Sequence, residues 1–325
     1  MKILVRLPNW LGDMVMSVGF MHQLSHFFPG AEVSVIAKKG IHELLHFFPP
    51  SKHQFIFSKE EYKGIVGTIK FGKMIKRTEN FDVFFSLPNS FSVALVGVST
   101  GAKKRIGYKK EMRQILLTDA FAKPEGTHRV EEYVKLLELF ADKKAKQIDV
   151  SLHHQFSKNE YVVVNINSEA LSRRLTVFKA VELLNALKSS LNKKIIFIGA
   201  PKEKEFVDTV IAQLHDQSNI ENAAGKTSLF QLAEILASAR LMLSTDSGPA
   251  HFANALGTHT IVLFGAGNEN NTAPYNQNLR TIIRLGELSC EPCEKNICVR
   301  YDTPQCLERL NSQLISEAVK MHLVV

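Results

Sequence analysis

A chain of 325 residues with 45% hydrophobic and 22% charged side chains has a globular composition, which excludes a disordered, collagen-like or disulfide-dense mini-scaffold. That length exceeds what one core ordinarily supports and predicts two domains of roughly 150 residues each. Forty Lys and Arg against 32 Asp and Glu leave a formal charge of +8, so the partner is expected to be anionic: nucleic acid, an anionic membrane surface or a phosphorylated substrate.

The first apolar run, residues 3–7, reads as a buried strand. Arg6, Pro8, Asn9 and Asp13 interrupt it before the apolar stretch of ~7–15 residues that a signal peptide needs. No run reaches the ~18 uninterrupted apolar residues of a spanning helix, and a cytoplasmic protein is expected. After the loop Pro8-Asn9-Trp10-Leu11-Gly12-Asp13, the spacing of Met14, Val15, Val18, Met21 and Leu24 predicts a helix ending before Pro29-Gly30. A second strand over 32–37 completes a βαβ unit. Residues 81–87 form another short apolar run, stopped by Pro88-Asn89. The charged stretch 142–147 marks the end of this half.

The pattern then restarts. Strands are predicted over 161–166, 194–199, 241–244 and 260–264, and helices over 178–191, 202–214 and 229–239. Strands alternating with helices specify parallel sheets, so each half is expected to be doubly wound.

The segment Ser244-Thr245-Asp246-Ser247-Gly248-Pro249-Ala250-His251 joins a strand end to a helix through small residues. Such a turn aims free backbone N–H groups and a helix dipole at a ligand above the strand, which suits phosphate. Asp246 repels phosphate as a bare carboxylate and is better placed to hold the turn or a sugar hydroxyl; a plain helix cap is the alternative. Gly12-Asp13, at the first strand-to-helix junction, could supply a general base or a helix cap, and Trp10 could pack that loop. Ser168 to Arg174, after the first strand of the second half, combines hydroxyls with guanidinium groups and suits phosphate, or forms a solvated loop.

The four cysteines fall at Cys290, Cys293, Cys298 and Cys306, spaced C-x2-C-x4-C-x7-C. Thiols this close could bind a metal, yet the spacing matches no pair of C-x2-C knuckles, and reduced, partly buried thiols are the other reading. His42, His46 and His53 are expected on solvated faces. Lys38, Lys39, Lys103, Lys104, Arg105, Lys109, Lys110 and Arg113 concentrate positive charge in the first half. Aromatic interleaving is sparse there and no nucleic-acid motif accompanies them, so nucleic acid is not the expected partner.

Taken in order, the motifs resemble the ADP-heptose:lipopolysaccharide heptosyltransferases, glycosyltransferase family 9. The resemblance rests on Leu11-Gly12-Asp13, Leu87-Pro88-Asn89-Ser90-Phe91, Arg105-Ile106-Gly107-Tyr108 running into Glu111-Met112-Arg113, and His128-Arg129-Val130-Glu131. It continues through Gly225-Lys226-Thr227-Ser228-Leu229, Thr245-Asp246-Ser247-Gly248-Pro249-Ala250-His251 and the cysteine-rich tail. The Leu87–Phe91 and Gly107–Arg113 segments look more like the heptosyltransferase II branch.

This resemblance implies a GT-B fold of class α/β: two Rossmann-like doubly wound domains facing a central cleft. Residues 1–155 would bind acceptor, and residues 156–325 the nucleotide sugar. It implies inverting, metal-independent transfer of heptose from ADP-heptose to the lipopolysaccharide inner core, with no cofactor. Asp13 would be the general base. His251, Ser168, Arg173, Thr227, Thr245, Asp246, Ser247 and Gly248 would serve the donor, with Thr227 presenting backbone to adenine. Gly12, Asn89, Ser90, Arg113 and His128 would serve the acceptor.

Two departures stand out. Arg173-Arg174-Leu175-Thr176 replaces a family Lys-[Arg/His]-Trp-Pro run. Glu131-Glu132 replaces a common Glu-Arg, which removes an arginine from the acceptor side. The implied setting is cytoplasmic and peripheral at the inner face of the inner membrane, in contact with its anionic surface. Two further readings of the same motifs are a GT-B nucleotide-sugar epimerase and a non-catalytic nucleotide-sugar-binding protein.

Overall fold

Short apolar strands buried on both faces alternate with amphipathic helices along nearly the whole chain, the pattern that parallel sheets require. The computed structural model, which describes residues 1–323, divides into two compact units, Met1–His153 and the remainder from His154.

In the first unit the elements are β1 (Lys2–Arg6), α1 (Leu11–Met16), α2 (Val18–Phe27), β2 (Glu32–Lys38), β3 (Gln54–Phe57), α3 (Gly64–Thr78), β4 (Val83–Ser86), α4 (Phe91–Ser99), β5 (Lys104–Tyr108), β6 (Asp119–Phe121) and α5 (Arg129–Ala141). The sheet order is β3-β2-β1-β4-β5-β6, and every pairing is parallel. Strand order reverses between β1 and β4, which makes the loops after those two strands the switch point where open α/β sheets bind ligands. On one face α3 and α4 pack Phe71, Ile75, Val93 and Val96 onto Leu4, Ile36 and Phe84. On the other, Phe85 meets Phe20 of α2 edge-on at 5.3 Å and Phe140 of α5 at 5.6 Å.

The second unit repeats the plan with β7 (Tyr161–Asn165), α6 (Val177–Ser190), β8 (Lys194–Phe197), α7 (Lys204–Ala212), β9 (Ile220–Asn222), α8 (Leu229–Ser238), β10 (Leu241–Thr245), α9 (Gly248–Ala255), β11 (His259–Phe264), α10 (Glu269–Thr272), β12 (Arg280–Arg284), α11 (Gln305–Glu308) and α12 (Ser312–Leu323). Its sheet, β12-β11-β10-β7-β8-β9, is again wholly parallel. Here the order reverses between β7 and β10. A core of Val162, Val164, Ile195, Phe197, Leu243 and Ile261 is covered by α6, α7 and α12.

The α/β class and both doubly wound sheets agree with the alternation of the sequence. Some local features differ from it. The helix expected from residue 14 breaks at Ser17, whose hydroxyl donates to the Met14 carbonyl at 2.6 Å and turns the chain between α1 and α2. Trp10 does not pack its loop: it is 58% exposed, with Lys38 Nζ 5.6 Å from the ring centroid. No helix among the described residues is long and apolar enough to cross a membrane.

Candidate functional site

In the first unit, Gly12 and Asp13 occupy the first turn of α1, directly after β1 and beside the switch point. A carboxylate there faces the positive end of a helix. The loop before it is anchored from below by Arg6, a buried arginine that sequence reasoning passes over. Its guanidinium donates to the Leu7 carbonyl, to the Ile36 carbonyl at 3.3 Å and to Asn9 Oδ1 at 2.5 Å. Burial lowers the Arg6 pKa to about 10, still far above neutrality.

Asp13 is half-buried. Tyr133 Oη donates to its Oδ1 at 3.5 Å, and Arg129 Nε lies 3.8 Å from the same oxygen. Desolvation raises the Asp13 pKa above its ordinary value; Arg129 pulls it back and Glu132 adds to the rise. Tyr133 is itself raised well above its ordinary value by burial and stays protonated, a hydrogen-bond donor. Arg129 opens α5 and also pairs with buried Glu132 at 3.0 Å, which Lys123 meets at 3.2 Å.

The loop after β4 carries Asn89 and Ser90. Ser90 caps α4, its hydroxyl accepting from Val93 N at 3.3 Å. Arg113, expected to touch the acceptor, is instead only 1% exposed. Its guanidinium donates to Ser86 Oγ at 2.7 Å and to the Pro88 carbonyl and Asn89 Oδ1, both at 2.9 Å. The side chain therefore shapes the Pro88-Asn89 turn from inside. Room for it comes from Gly107, where a Cβ would stand 2.6 Å from the Arg113 guanidinium. His128 is likewise turned inward as the N-cap of α5, its Nδ1 accepting from Val130 N at 3.2 Å.

In the second unit the loops after β7 and β10 flank the other switch point. Ser247 is the N-cap of α9, but its hydroxyl does not cap the helix; it donates to the Thr245 carbonyl at 3.1 Å and accepts from Asn165 Nδ2 at 2.8 Å. Thr245 Oγ1 donates to the Asn167 carbonyl at 2.5 Å, and Ser168 Oγ to the Asp246 carbonyl at 3.5 Å. A ladder of small polar side chains thus ties the two loops together. It leaves the amino end of α9, with Gly248 at its first position, without a side-chain cap. This arrangement can hold an anion through backbone N–H groups and the helix dipole. His251 is buried within α9.

Asp246 is 4% exposed, with Arg173 Nη1 3.2 Å from Oδ2. Desolvation raises its pKa, while Arg173 and then Arg284 oppose the rise. Arg173 ends a short 3-10 turn, Leu171–Arg173. Ser172 holds that turn onto the cysteine-rich segment: its N–H donates to the Asn296 carbonyl at 3.1 Å and its hydroxyl to the Lys295 carbonyl. Thr227 precedes Ser228, whose side chain and that of Gln231 form the capping box of α8.

Several supports of this site are invisible to motif reading. Gly267 packs against Asp246 so closely that a Cβ there would stand 2.0 Å from Oδ2. The turn carrying Gly267 is gripped by Arg284, which donates to the carbonyls of Gly265 (2.8 Å) and Gly267 and pairs with Glu269 and Glu291. Only the folded chain brings β12, α10 and this turn together.

All four cysteines are free and line one small cavity with Ser172, Tyr301 and Gln305. Burial, with Glu291 and the neighbouring thiols adding to it, pushes the Cys306 thiol up to about 12. Two histidine spacings that motif reading passes over also resolve here. His42-Glu43-Leu44-Leu45-His46 has H-E-x-x-H spacing, but it lies in a 3-10 helix, His42–Phe47. At three residues per turn, positions i and i+4 diverge instead of stacking. His22 and His26 do share a face of α2, and His22 Nδ1 lies 3.5 Å from Asp149 Oδ2. Among the described residues, no group of three or more His, Cys, Asp or Glu side chains is placed to hold a metal ion.

With the geometry established, comparison with known proteins shows the family. A model described as glycosyltransferase family 9 (heptosyltransferase) matches residues 68–302. Lipopolysaccharide heptosyltransferase 2 of Escherichia coli strain K12 is 28% identical, across 98% of this chain and 99% of its own length. Lipooligosaccharide heptosyltransferase 2 of Campylobacter jejuni subsp. jejuni serotype O:6 is 24% identical across 98% of each chain. The solved structure of E. coli ADP-heptose lps heptosyltransferase II aligns with 100% of this chain and 99% of its own at a TM-score of 0.84 and 24% identity, a likeness of fold. The family whose motifs run in order along the sequence is therefore also the one its full-length relatives represent: this chain belongs to glycosyltransferase family 9, the heptosyltransferases, and is a glycosyltransferase.

Proposed function

We propose that this chain transfers heptose from ADP-heptose to the lipopolysaccharide inner core with inversion, using Asp13 as general base and no metal. The observation that carries the reading is the setting of Asp13. It is a carboxylate at the switch point of its sheet, raised in basicity by burial and held by Arg129 and Tyr133. As the acceptor oxygen attacks the anomeric carbon, its proton passes to Asp13, and the bond from that carbon to the β-phosphate oxygen breaks. The electron pair leaves with ADP.

The charge that develops on ADP then needs positive partners. The uncapped amino end of α9, Arg173 and Ser168 supply them in this reading, with His251 adding its imidazole. Asp246 positions Arg173 and meets a sugar hydroxyl, Thr245, Ser247 and Gly248 shape the phosphate turn, and Thr227 presents backbone to adenine. On the acceptor side Gly12 lets the chain approach the sugar closely and Asn89 contacts it. Ser90, Arg113 and His128 hold those loops in place. The net charge of +8 suits a phosphorylated acceptor borne on an anionic bilayer, so the enzyme works in the cytoplasm, peripheral at the inner face of the inner membrane.

The deciding experiment is ADP release from ADP-heptose with and without a heptose-deficient lipopolysaccharide core. Release that depends on the core is the expected result. Tight donor binding with no release on any core would leave a binding protein, and interconversion of the free nucleotide sugar would indicate an epimerase.

A further inference from the structure

One surface of the first unit is built unlike a solvated face. Helix α4 has nine residues and no charged side chain. It buries Val93, Ala94, Val96 and Gly97 against the sheet, yet its outer face also carries apolar side chains, Phe91 44% and Val98 39% exposed, with Ser92 the exposed polar residue among them. Apolar residues on the outer face as well as the inner one suit a non-aqueous neighbour there. Two elements extend that surface. Helix α3 packs directly beside α4, where Gly72 comes so close that a Cβ would stand 2.4 Å from Ser99 Cβ, and it exposes Ile65 and Val66 at 65% and 66%. On the other flank the 3-10 turn Glu111–Leu116 packs on α4 and exposes Met112 and Ile115 at 66% and 67%. Isolated exposed apolar residues are ordinary; six on three adjoining elements form a patch.

Charge decides what covers it. Lys63, Lys70 and Lys73 lie exposed along the α3 side and Lys109 and Lys110 along the side of the 3-10 turn, and they outnumber the exposed carboxylates beside them, Glu60, Glu61 and Glu111. Aliphatic side chains flanked by lysines are the composition of an interfacial surface: the apolar groups enter the acyl boundary while lysine stems reach back to anionic head groups. The patch also begins where the acceptor loop ends, because Phe91 follows Asn89 and Ser90 at the carboxyl end of β4.

We infer that the face formed by α3, α4 and the Glu111–Leu116 turn docks this protein onto an anionic lipid bilayer. The inference rests on the reading of the acceptor as lipid-borne and names the surface through which the enzyme reaches it. Docking there places the acceptor loop at the head-group boundary, so that a saccharide projecting from the leaflet enters from the bilayer side.

The test uses the full chain and vesicles that contain no saccharide. Wild-type protein is expected to sediment with phosphatidylcholine vesicles containing phosphatidylglycerol and to remain free with phosphatidylcholine alone. The double variants Ile65→Ser/Val66→Ser and Met112→Ser/Ile115→Ser change only exposed side chains. They are expected to weaken vesicle binding by roughly tenfold or more. Both are expected to keep wild-type turnover on a deacylated, water-soluble core and to lose rate on the same core embedded in vesicles. Vesicle binding that is unchanged in both variants overturns the inference. So does a wild-type dimer in solution that the variants abolish, since a second copy would then be the occupant. If no core is ever glycosylated but vesicle binding follows the variants, the acceptor reading fails and the docking surface stands.

Discussion

Arg129 Nε stands 3.8 Å from Asp13 Oδ1, so the carboxylate that follows the first strand is set against a guanidinium from the helix that closes the same unit. The pair is partly exposed, and its value lies in tuning more than in stability. Burial makes Asp13 a stronger base, and Arg129 keeps that rise in check.

Replacing Arg129 by Met removes the opposing charge and leaves the desolvation. Asp13 then takes up its proton at higher pH than in the wild type. Because the proposed base must be ionised to act, the acid limb of log kcat/KM against pH is expected to move to higher pH while the neutral plateau persists. A limb that stays in place would show that some other group titrates.

Asp13→Asn preserves shape and removes the proposed base. Turnover is expected to fall by roughly 10²- to 10⁴-fold, the usual worth of a general base. ADP affinity, measured by calorimetry, should remain at the wild-type value, since the loops proposed to bind the donor belong to the other unit. Loss of ADP binding in this variant would sink the assignment.

His251→Ala tests stabilisation of the leaving group. A fall in kcat of about 10²-fold, with a smaller change in ADP affinity, is expected when one donor to a developing charge is lost. Unchanged turnover would take His251 out of the chemistry and leave it as a buried part of α9.

Gly267→Ala introduces a Cβ that would lie 2.0 Å from Asp246 Oδ2, so the carboxylate must move and Arg173 loses its partner. The expected outcome is weaker ADP-heptose binding, with a loss of stability of about 1–3 kcal/mol from overpacking. Donor affinity equal to wild type would mean that the carboxylate can shift without cost to the site.

The cysteines give a separate check on the tail. Cys306 is buried and its thiol is pushed up to about 12, whereas Cys290, Cys293 and Cys298 are partly exposed. Titration with a thiol reagent near neutral pH is expected to modify those three first and Cys306 only after unfolding, because the thiolate is the reactive form. Simultaneous reaction of all four would show that the cavity they line opens in solution.

Much of this architecture was legible in the chain itself. The strands that open each βαβ pattern are short runs of Val, Ile, Leu and Phe, and they stand out because a parallel sheet buries both faces. The edge strands β3, β6, β9 and β12 and the inner strand β5 were not legible. At three to five residues, with half-exposed or charged positions, they carry no periodic signal. The strand-to-helix turns at Gly12-Asp13 and Asp246-Ser247-Gly248 were legible for a related reason, since small and capping residues mark such junctions locally.

By itself, then, the sequence determined the α/β class, the two doubly wound halves and the ordered motifs of the family, all of which depend on neighbouring residues. Only the tertiary structure decided which partners those motifs meet. It set Arg129 against Asp13, turned Arg113 inward to hold Asn89, and packed Gly267 and Arg284 around Asp246. These contacts join residues far apart in the chain, and the desolvation that shifts the Asp13 and Asp246 carboxyls exists only once the elements have packed.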